Sequence, residues 1–274
     1  MPINKQLDQK VALITSSAPG ICANTAQQFA QAGARVVVCG RNARQGLATV
    51  KQIRSDGGRA TFVLADVAAI ADVQSVIDET IATYGRLDIL FNNVSNSYAQ
   101  DDGLMEVSEL MWDRIVEPLL KGTFFCCQYA LPFLQQSSEG TIINLIEQTA
   151  DSQGSLSAVC QGGVLALTRA IAQQFSASTV TANLVWATPA ALPSVEAADV
   201  GLLFSKVLTG PQKEPNKATN KTINESTNEA TNEATSSDRP FTDMAEAIMY
   251  LARYDSTLHG AALLVNLSDL DSFR

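Results

Sequence analysis

The stretch VALITSSAPGICANTAQQFA, residues 11–30, decides the fold of this chain. Its first four residues are an apolar run that predicts a buried strand. A short loop containing Pro19 and Gly20 follows, and the residues after Gly20 predict the start of a helix. A strand, a tight loop and a helix in this order can hold a phosphate on the amides of the helix N-terminus.

Short β-branched and apolar runs alternate with helical patterns along most of the chain. Apolar residues recur at helical spacing over 70–84 and again over 160–175. We therefore predict one α/β domain over residues 1–274, with a doubly wound, mostly parallel sheet of seven strands and helices on both faces. The predicted strands are 11–14, 36–39, 61–64, 87–91, 141–144, 180–185 and 262–265. Ligands of such sheets bind at the carboxyl ends of the strands, where the strand order reverses.

One segment departs from this pattern. From about 211 to 238 the chain has almost no large apolar residues, and from Ala218 it repeats four-residue units such as ATNK, STNE and ATNE. Such a segment cannot bury enough surface to offset the entropy lost on ordering, so we predict a disordered, low-complexity insert.

The composition argues against several classes of function. With 46% apolar residues the chain can form a sizeable core, and a net charge of −9 disfavours nucleic-acid binding through phosphates. We see no apolar run near the roughly 20 residues that span a bilayer and no N-terminal signal core. We therefore expect a cytoplasmic protein that binds no membrane. Five cysteines without CxxC spacing and a single histidine, His259, predict neither a disulfide framework nor a metal site.

Further landmarks follow the opening stretch in order. They are CGRN at 39–42, ADV at 65–67, FNNVS at 91–95, WDRIVEPLLKGTFF at 112–125, GTIINLI at 140–146 and VLALTRAIAQQF at 164–175. Together with the opening stretch they resemble the short-chain dehydrogenase/reductase family, over about 10–186 and again over 241–269. The resemblance implies a Rossmann-type fold and a dinucleotide cofactor, NADP or NAD.

The resemblance also implies which residues hold the cofactor. The implied positions are Thr15, Ser16, Ser17, Gly20 and Ile21 in the phosphate loop, Asp66 and Val67 beside the adenine, and Asn92 and Asn93 at the ribose end. Arg41 would approach a 2′-phosphate and so favours NADP slightly over NAD. Other interpretations stay open: Asp66 capping a loop, Arg41 as a solvated charge, and the asparagines holding a strand end.

The phosphate loop departs from the family pattern TGxxxGIG. Only Gly20 remains of its three glycines, because Ser16 and Cys22 occupy the other two positions. Serine fits the first position if its φ is negative, whereas the Cys22 side chain would fill space that the third glycine leaves open. Pro19 also removes an amide donor. We expect weakened or lost cofactor binding.

No catalytic residue of the family is intact in this chain. The resemblance aligns the family's Tyr and Lys with Ser157 and Gln161, the second residue of its Ser pair with Glu147, and its helix Asn with Leu119. A serine hydroxyl is a far weaker acid than a phenol, and glutamine carries no charge that would acidify it. We expect no turnover by the family's mechanism.

Other acids could in principle replace the missing ones. Tyr98, Glu147 and Asp151 are the candidates, although a surface tyrosine and solvated carboxylates are the plainer interpretation. His259 has no assigned role.

Two hypotheses therefore stand. The first is a non-catalytic protein that binds, acts as a scaffold, or forms a homo-oligomer or a hetero-oligomer with an active relative, through the helices that the resemblance places at 112–134 and 157–175. The alternative is an NAD(P)-dependent oxidoreductase of a carbonyl or hydroxyl substrate, with atypical acid/base residues.

Overall fold

A computed structural model describes residues 6–16, 20–95, 104–147, 154–188, 244–253 and 262–266. The strands are β1 (Val11–Thr15), β2 (Arg35–Gly40), β3 (Arg59–Leu64), β4 (Ile89–Ser95), β5 (Gly140–Glu147), β6 (Val180–Thr188) and β7 (Ala262–Asn266). The helices are α1 (Ile21–Gln31), α2 (Ala43–Ser55), α3 (Ile70–Tyr84), α4 (Glu109–Val116), α5 (Gly122–Leu134), α6 (Ser155–Gln174) and α7 (Met244–Ala252). The low-complexity insert at 211–238 lies outside the described residues, so its disorder stays a prediction.

The seven strands form one sheet in the order β3-β2-β1-β4-β5-β6-β7. All six strand pairings are parallel, which confirms the predicted α/β class and doubly wound architecture. The strand order reverses between β1 and β4, because the chain first builds outward to β3 and then returns to the far side of β1. A crevice at the carboxyl ends of these strands is therefore the expected ligand position.

Apolar side chains cover both faces of the sheet. One face packs against α1, α2 and α7 through residues such as Phe29, Ile53 and Ile248. The opposite face packs against α3, α5 and part of α6, through Ile77 and Leu134 among others. A third cluster joins α4 to the first half of α6. Burial on both faces explains why the strands are continuous apolar runs.

The helix predicted over 112–125 contains a π turn. The π-helical segment Glu117–Lys121 separates α4 from α5, and the amide of Gly122 bonds the carbonyl of Glu117, five residues earlier. Pro118 lies inside this turn and has no amide hydrogen to donate, so the α-helical hydrogen-bond pattern cannot continue through it. The turn brings Leu119 to the rim of the crevice at the strand ends.

Helix α6 corrects one expectation from the sequence. Its 20 residues, Ser155–Gln174, have a mean hydropathy of 1.3 and meet the length and composition of a membrane span, so the expectation that no segment would approach one was wrong. The helix packs against β6 and α4, and residues such as Leu156, Val164 and Ile171 are buried there. Its apolar character is explained by these contacts.

Asp88 joins three segments at the opposite edge of the sheet from the crevice. The buried carboxylate accepts hydrogen bonds from the Val11 amide at 2.8 Å and the Ser137 hydroxyl at 2.6 Å, and it pairs with Arg86 at 2.6 Å. Burial acts to raise the pKa of Asp88, but these bonds together lower it. The cluster stabilises the fold at a distance from the candidate site.

Candidate functional site

A crevice of about 430 Å³ opens at the carboxyl ends of β1 to β4. This volume lies within the roughly 300–1,000 Å³ typical of small-molecule sites. The sequence-predicted residues among its lining are Thr15, Ser16, Arg41, Asp66, Val67, Asn93 and Leu119. Parallel strands end at one edge of the sheet, and this shared edge gathers side chains that lie up to about 100 residues apart in the sequence.

Arg41 and Asp66 form one end of the crevice. Their side chains are 60% and 39% exposed, and the guanidinium lies 3.8 Å from the carboxylate. One oxygen of Asp66 also accepts a bond from the Ala68 amide at 3.0 Å, so the loop-capping interpretation holds for that oxygen. Asn42 caps α2 by accepting a bond from the Gln45 amide at 3.1 Å. This end combines a cation, a carboxylate and a helix N-terminus, the groups that recognise a ribose and an attached anion.

The first-glycine position of the phosphate loop is strained. Ser16 has a φ of +152°, so the negative value that would suit a serine is not adopted. Positive φ costs a non-glycine residue about 1–3 kcal/mol. Gly20 has a φ of +89° and caps α1, a conformation that glycine adopts without penalty, and Ile21 begins the helix. Ser17 lies outside the described residues.

Cys22 occupies the third-glycine position and joins two residues of the crevice wall. Its Sγ accepts a bond from Asn93 Nδ2 at 2.9 Å and is also hydrogen-bonded by the Ser16 side chain. The residue is 2% exposed. Burial raises the pKa of Cys22 to about 12, and the nearby charge of Glu147 acts in the same direction, so the group is a neutral thiol. We call Ser16, Cys22 and Asn93 the Cys22 cluster.

The two asparagines at the end of β4 have different surroundings. Asn92 is buried, accepts a bond from Thr15 Oγ1 at 3.2 Å and donates one to Asn144 at 2.9 Å. Asn144 in turn donates to Thr168 on α6 at 2.8 Å. Asn92 thus holds β1, β4 and β5 together, as the strand-end interpretation proposed, whereas Asn93 lines the crevice. Asn144 is a polar residue inside the apolar run of β5, and this contrast was the sequence signal for its buried hydrogen-bonding role.

The resemblance aligns Leu119, Ser157 and Gln161 with catalytic residues of the family, and the structure gives the surroundings of all three. Leu119 is 9% exposed and packs with Ile115, Leu156 and Val164. Ser157 is buried in the first turn of α6, and Gln161 is half-buried one turn later. These positions therefore bring together an apolar side chain, a hydroxyl and a neutral amide.

Glu147 ends β5, and Ile146 before it is fully buried. Glu147 is half-buried, and desolvation raises the pKa of its carboxyl. Tyr98 and Asp151, the other candidate acids, and His259 lie outside the described residues.

The five cysteines are all buried thiols, as expected from their number and spacing. In the part of the chain that the structure describes, no group of three or more His, Cys, Asp or Glu residues is arranged to hold a metal ion.

Comparison with known proteins identifies the family. Residues 10–196 match the family model described as short chain dehydrogenase. A Thauera aromatica protein, (2S)-[(R)-hydroxy(phenyl)methyl]succinyl-CoA dehydrogenase subunit BbsD, is 34% identical over 65% of this chain and 72% of its own length. The 3-oxoacyl-[acyl-carrier-protein] reductase FabG of Staphylococcus aureus is 32% identical over 64% of this chain and 72% of its own.

A solved structure from Burkholderia xenovorans, assigned to the same family, superposes with a TM-score of 0.71. It is 26% identical and covers 95% of this chain and 96% of its own. The order of the strands, the position of the crevice and these matches agree: the chain belongs to the short-chain dehydrogenase/reductase family.

Proposed function

We propose that this chain is a non-catalytic member of the short-chain dehydrogenase/reductase family that acts by binding. One observation carries the proposal. The resemblance aligns Leu119, Glu147, Ser157 and Gln161 with the four positions that the family uses for proton transfer.

Carbonyl reduction by hydride leaves an alkoxide, which needs a proton as it forms. Ser157 is buried and is a weak acid, and Gln161 brings no positive charge to its side of the helix. An ionised Glu147 would oppose the negative charge that develops in the reaction. General acid catalysis typically contributes 10²–10⁴-fold to rate, so we expect replacement of the whole set to slow turnover by at least this factor.

The two ends of the crevice differ in how well they fit the family's dinucleotide. Arg41, Asp66 and Val67 suit an adenosine with a phosphate on its ribose, and such a fit favours NADP over NAD. The Cys22 cluster and Leu119 lie at the other end. The resemblance aligns Cys22 with a glycine of the family and Leu119 with an asparagine. When bound, the dinucleotide would supply hydride chemistry, and the matching proton would have to come from a residue other than the family's tyrosine.

Exposed apolar side chains on three neighbouring helices support assembly. Leu110 and Trp112 on α4, Phe124 on α5 and Val159 on α6 are 46–62% exposed. Large exposed apolar side chains on helices that contact one another are typical of protein interfaces. The Thauera relative is named as a subunit of a dehydrogenase, which favours an oligomer containing either two copies of this chain or an active relative.

The decisive experiment titrates purified protein with NADPH and NADH and then follows cofactor oxidation with a panel of ketones, aldehydes and oxoacyl thioesters. We expect no turnover, and an active family member assayed in parallel is the control. Turnover with any substrate of the panel would overturn the proposal.

Light scattering with and without Trp112→Glu tests assembly, because a charge at an apolar interface should dissociate the oligomer.

A second function, an oxidoreductase with an atypical acid, is favoured by one observation. Burial raises the pKa of Glu147, which increases the fraction of this carboxyl that is protonated near neutral pH. If turnover is found, Glu147→Gln should abolish it. Turnover that persists in Glu147→Gln combined with Tyr98→Phe would exclude both substitute acids.

A further inference from the structure

The crevice and the replaced catalytic positions do not form one continuous surface. Among the described residues, its lining comes from β1 to β4, the start of α2 and the π turn, and includes none from β5 or α6. Glu147, Ser157 and Gln161 are therefore not part of its wall. Among the described residues, Asn93 and Leu119 are the part of the lining that lies toward those positions.

The Cys22 cluster forms this end through its own hydrogen bonds. Asn93 donates its amide to Cys22 Sγ at 2.9 Å, and the Ser16 side chain bonds the same sulfur. A glycine at position 22 would remove the sulfur that holds both side chains. Asn93 and Ser16 thus use for Cys22 hydrogen bonds that they could otherwise make to a ligand.

Charge and polarity also disfavour a ligand that extends past this end. An ionised Glu147 would oppose a second phosphate near Cys22, on whose pKa the charge of Glu147 acts. Leu119 offers an apolar surface to a polar ribose. At the opposite end, Arg41 and the capped N-terminus of α2 offer a cation and helix amides to an anion.

We infer that the crevice takes an adenosine mononucleotide and gains nothing from the nicotinamide half of a dinucleotide. The inference rests on the proposed function, binding without turnover, and specifies the ligand of that site. A ligand segment that finds no favourable contact adds no affinity, and ordering it costs entropy. The chain would then respond to adenosine phosphates and not to the redox state of the nicotinamide pool.

Isothermal titration of the full chain tests this inference without any variant. Adenosine 2′,5′-bisphosphate, which is the adenosine half of NADP with one 5′-phosphate, is compared with NADP+ and NADPH. We expect the bisphosphate to bind at least as tightly as either dinucleotide, and the two dinucleotides to agree within about threefold, or about 0.7 kcal/mol. A dinucleotide that binds about tenfold more tightly than the bisphosphate would overturn the inference and leave the proposed binding function standing. Absence of binding by all three ligands would overturn the inference and leave assembly with another chain as the binding function of this protein.

Variants at Cys22 test whether the Cys22 cluster is what limits the ligand to the adenosine half. Cys22→Gly should raise NADP+ affinity about tenfold and leave bisphosphate affinity within about threefold, and Cys22→Ala should fall between them. Cys126→Ala, which removes a buried thiol on the other face of the sheet, is the matched control and should change neither affinity. Equal gains for both ligands in Cys22→Gly would show that the cluster does not set the ligand's length, and would contradict the inference.

Discussion

Arg41 should decide whether the crevice prefers a 2′-phosphate. The guanidinium is 60% exposed and 3.8 Å from the Asp66 carboxylate. A charge-assisted hydrogen bond from Arg41 to the phosphate should favour binding by about 1.5–3 kcal/mol. Loosening the exposed Arg41–Asp66 ion pair should oppose binding by about 0.2–1 kcal/mol. The net preference for adenosine 2′,5′-bisphosphate over 5′-AMP should be about 1–2 kcal/mol, or roughly 5–30-fold.

Arg41→Ala should reduce this preference to about twofold or less and leave 5′-AMP affinity nearly unchanged, as measured by titration at low and high salt. Added salt should weaken the preference, because the pair is exposed. Arg44→Ala is the matched control: it removes the same charge from the same helix N-terminus, but Arg44 is not among the crevice lining. A preference that survives in Arg41→Ala, or is lost equally in Arg44→Ala, would refute this reasoning.

Three further predictions concern stability and are measured by denaturant unfolding. Asp88→Asn should lower the free energy of unfolding by about 2–3 kcal/mol at pH 7. Because the pKa of Asp88 is lowered in the folded state, this difference should shrink as the pH falls below the ordinary value of 3.8. A difference between the two proteins that stays constant with pH would contradict this prediction. Desolvation raises the pKa of Glu147 in the folded state, so folding favours the neutral carboxyl. Glu147→Gln, which cannot ionise, should therefore stabilise the protein at pH 8 but not below pH 4.5. Asn144→Leu should cost about 1–3 kcal/mol, because Asn92 Nδ2 loses its 2.9 Å partner; a neutral effect would show that the buried network adds no stability.

The fold was predictable because its signals are local. Each strand between two helical layers is an apolar run, and the seven predicted strands all occur, with β4 and β5 extending further toward the site than expected. The extension of β4, Asn92 to Ser95, is mostly polar and so lacks the apolar signal, and the extension of β5 ends at the carboxyl-bearing Glu147. The π turn also escaped prediction, although Pro118, which has no amide hydrogen to donate, was its signal in the sequence.

The site was predictable only in part, because residue identities do not give contacts. Aligning motifs identified Arg41, Asp66 and Asn93, which the structure brings to one crevice. It grouped Asn92 with Asn93, but strand pairing buries one of them and exposes the other to the crevice. The positive φ of Ser16 was not predicted either, because a serine at that position was expected to adopt a negative value.

By itself, the sequence determined the α/β class and the strand–loop–helix at 11–30, and it predicted that the family's proton-transferring residues are replaced. These follow from hydrophobic periodicity and from the chemistry of single side chains. The tertiary structure alone decided that Cys22 bonds Asn93, that Leu119 closes the crevice, and that Glu147, Ser157 and Gln161 stand outside its wall. Such relations arise between residues 70 to 140 positions apart, and only the packing of helices against a shared sheet edge fixes their distances.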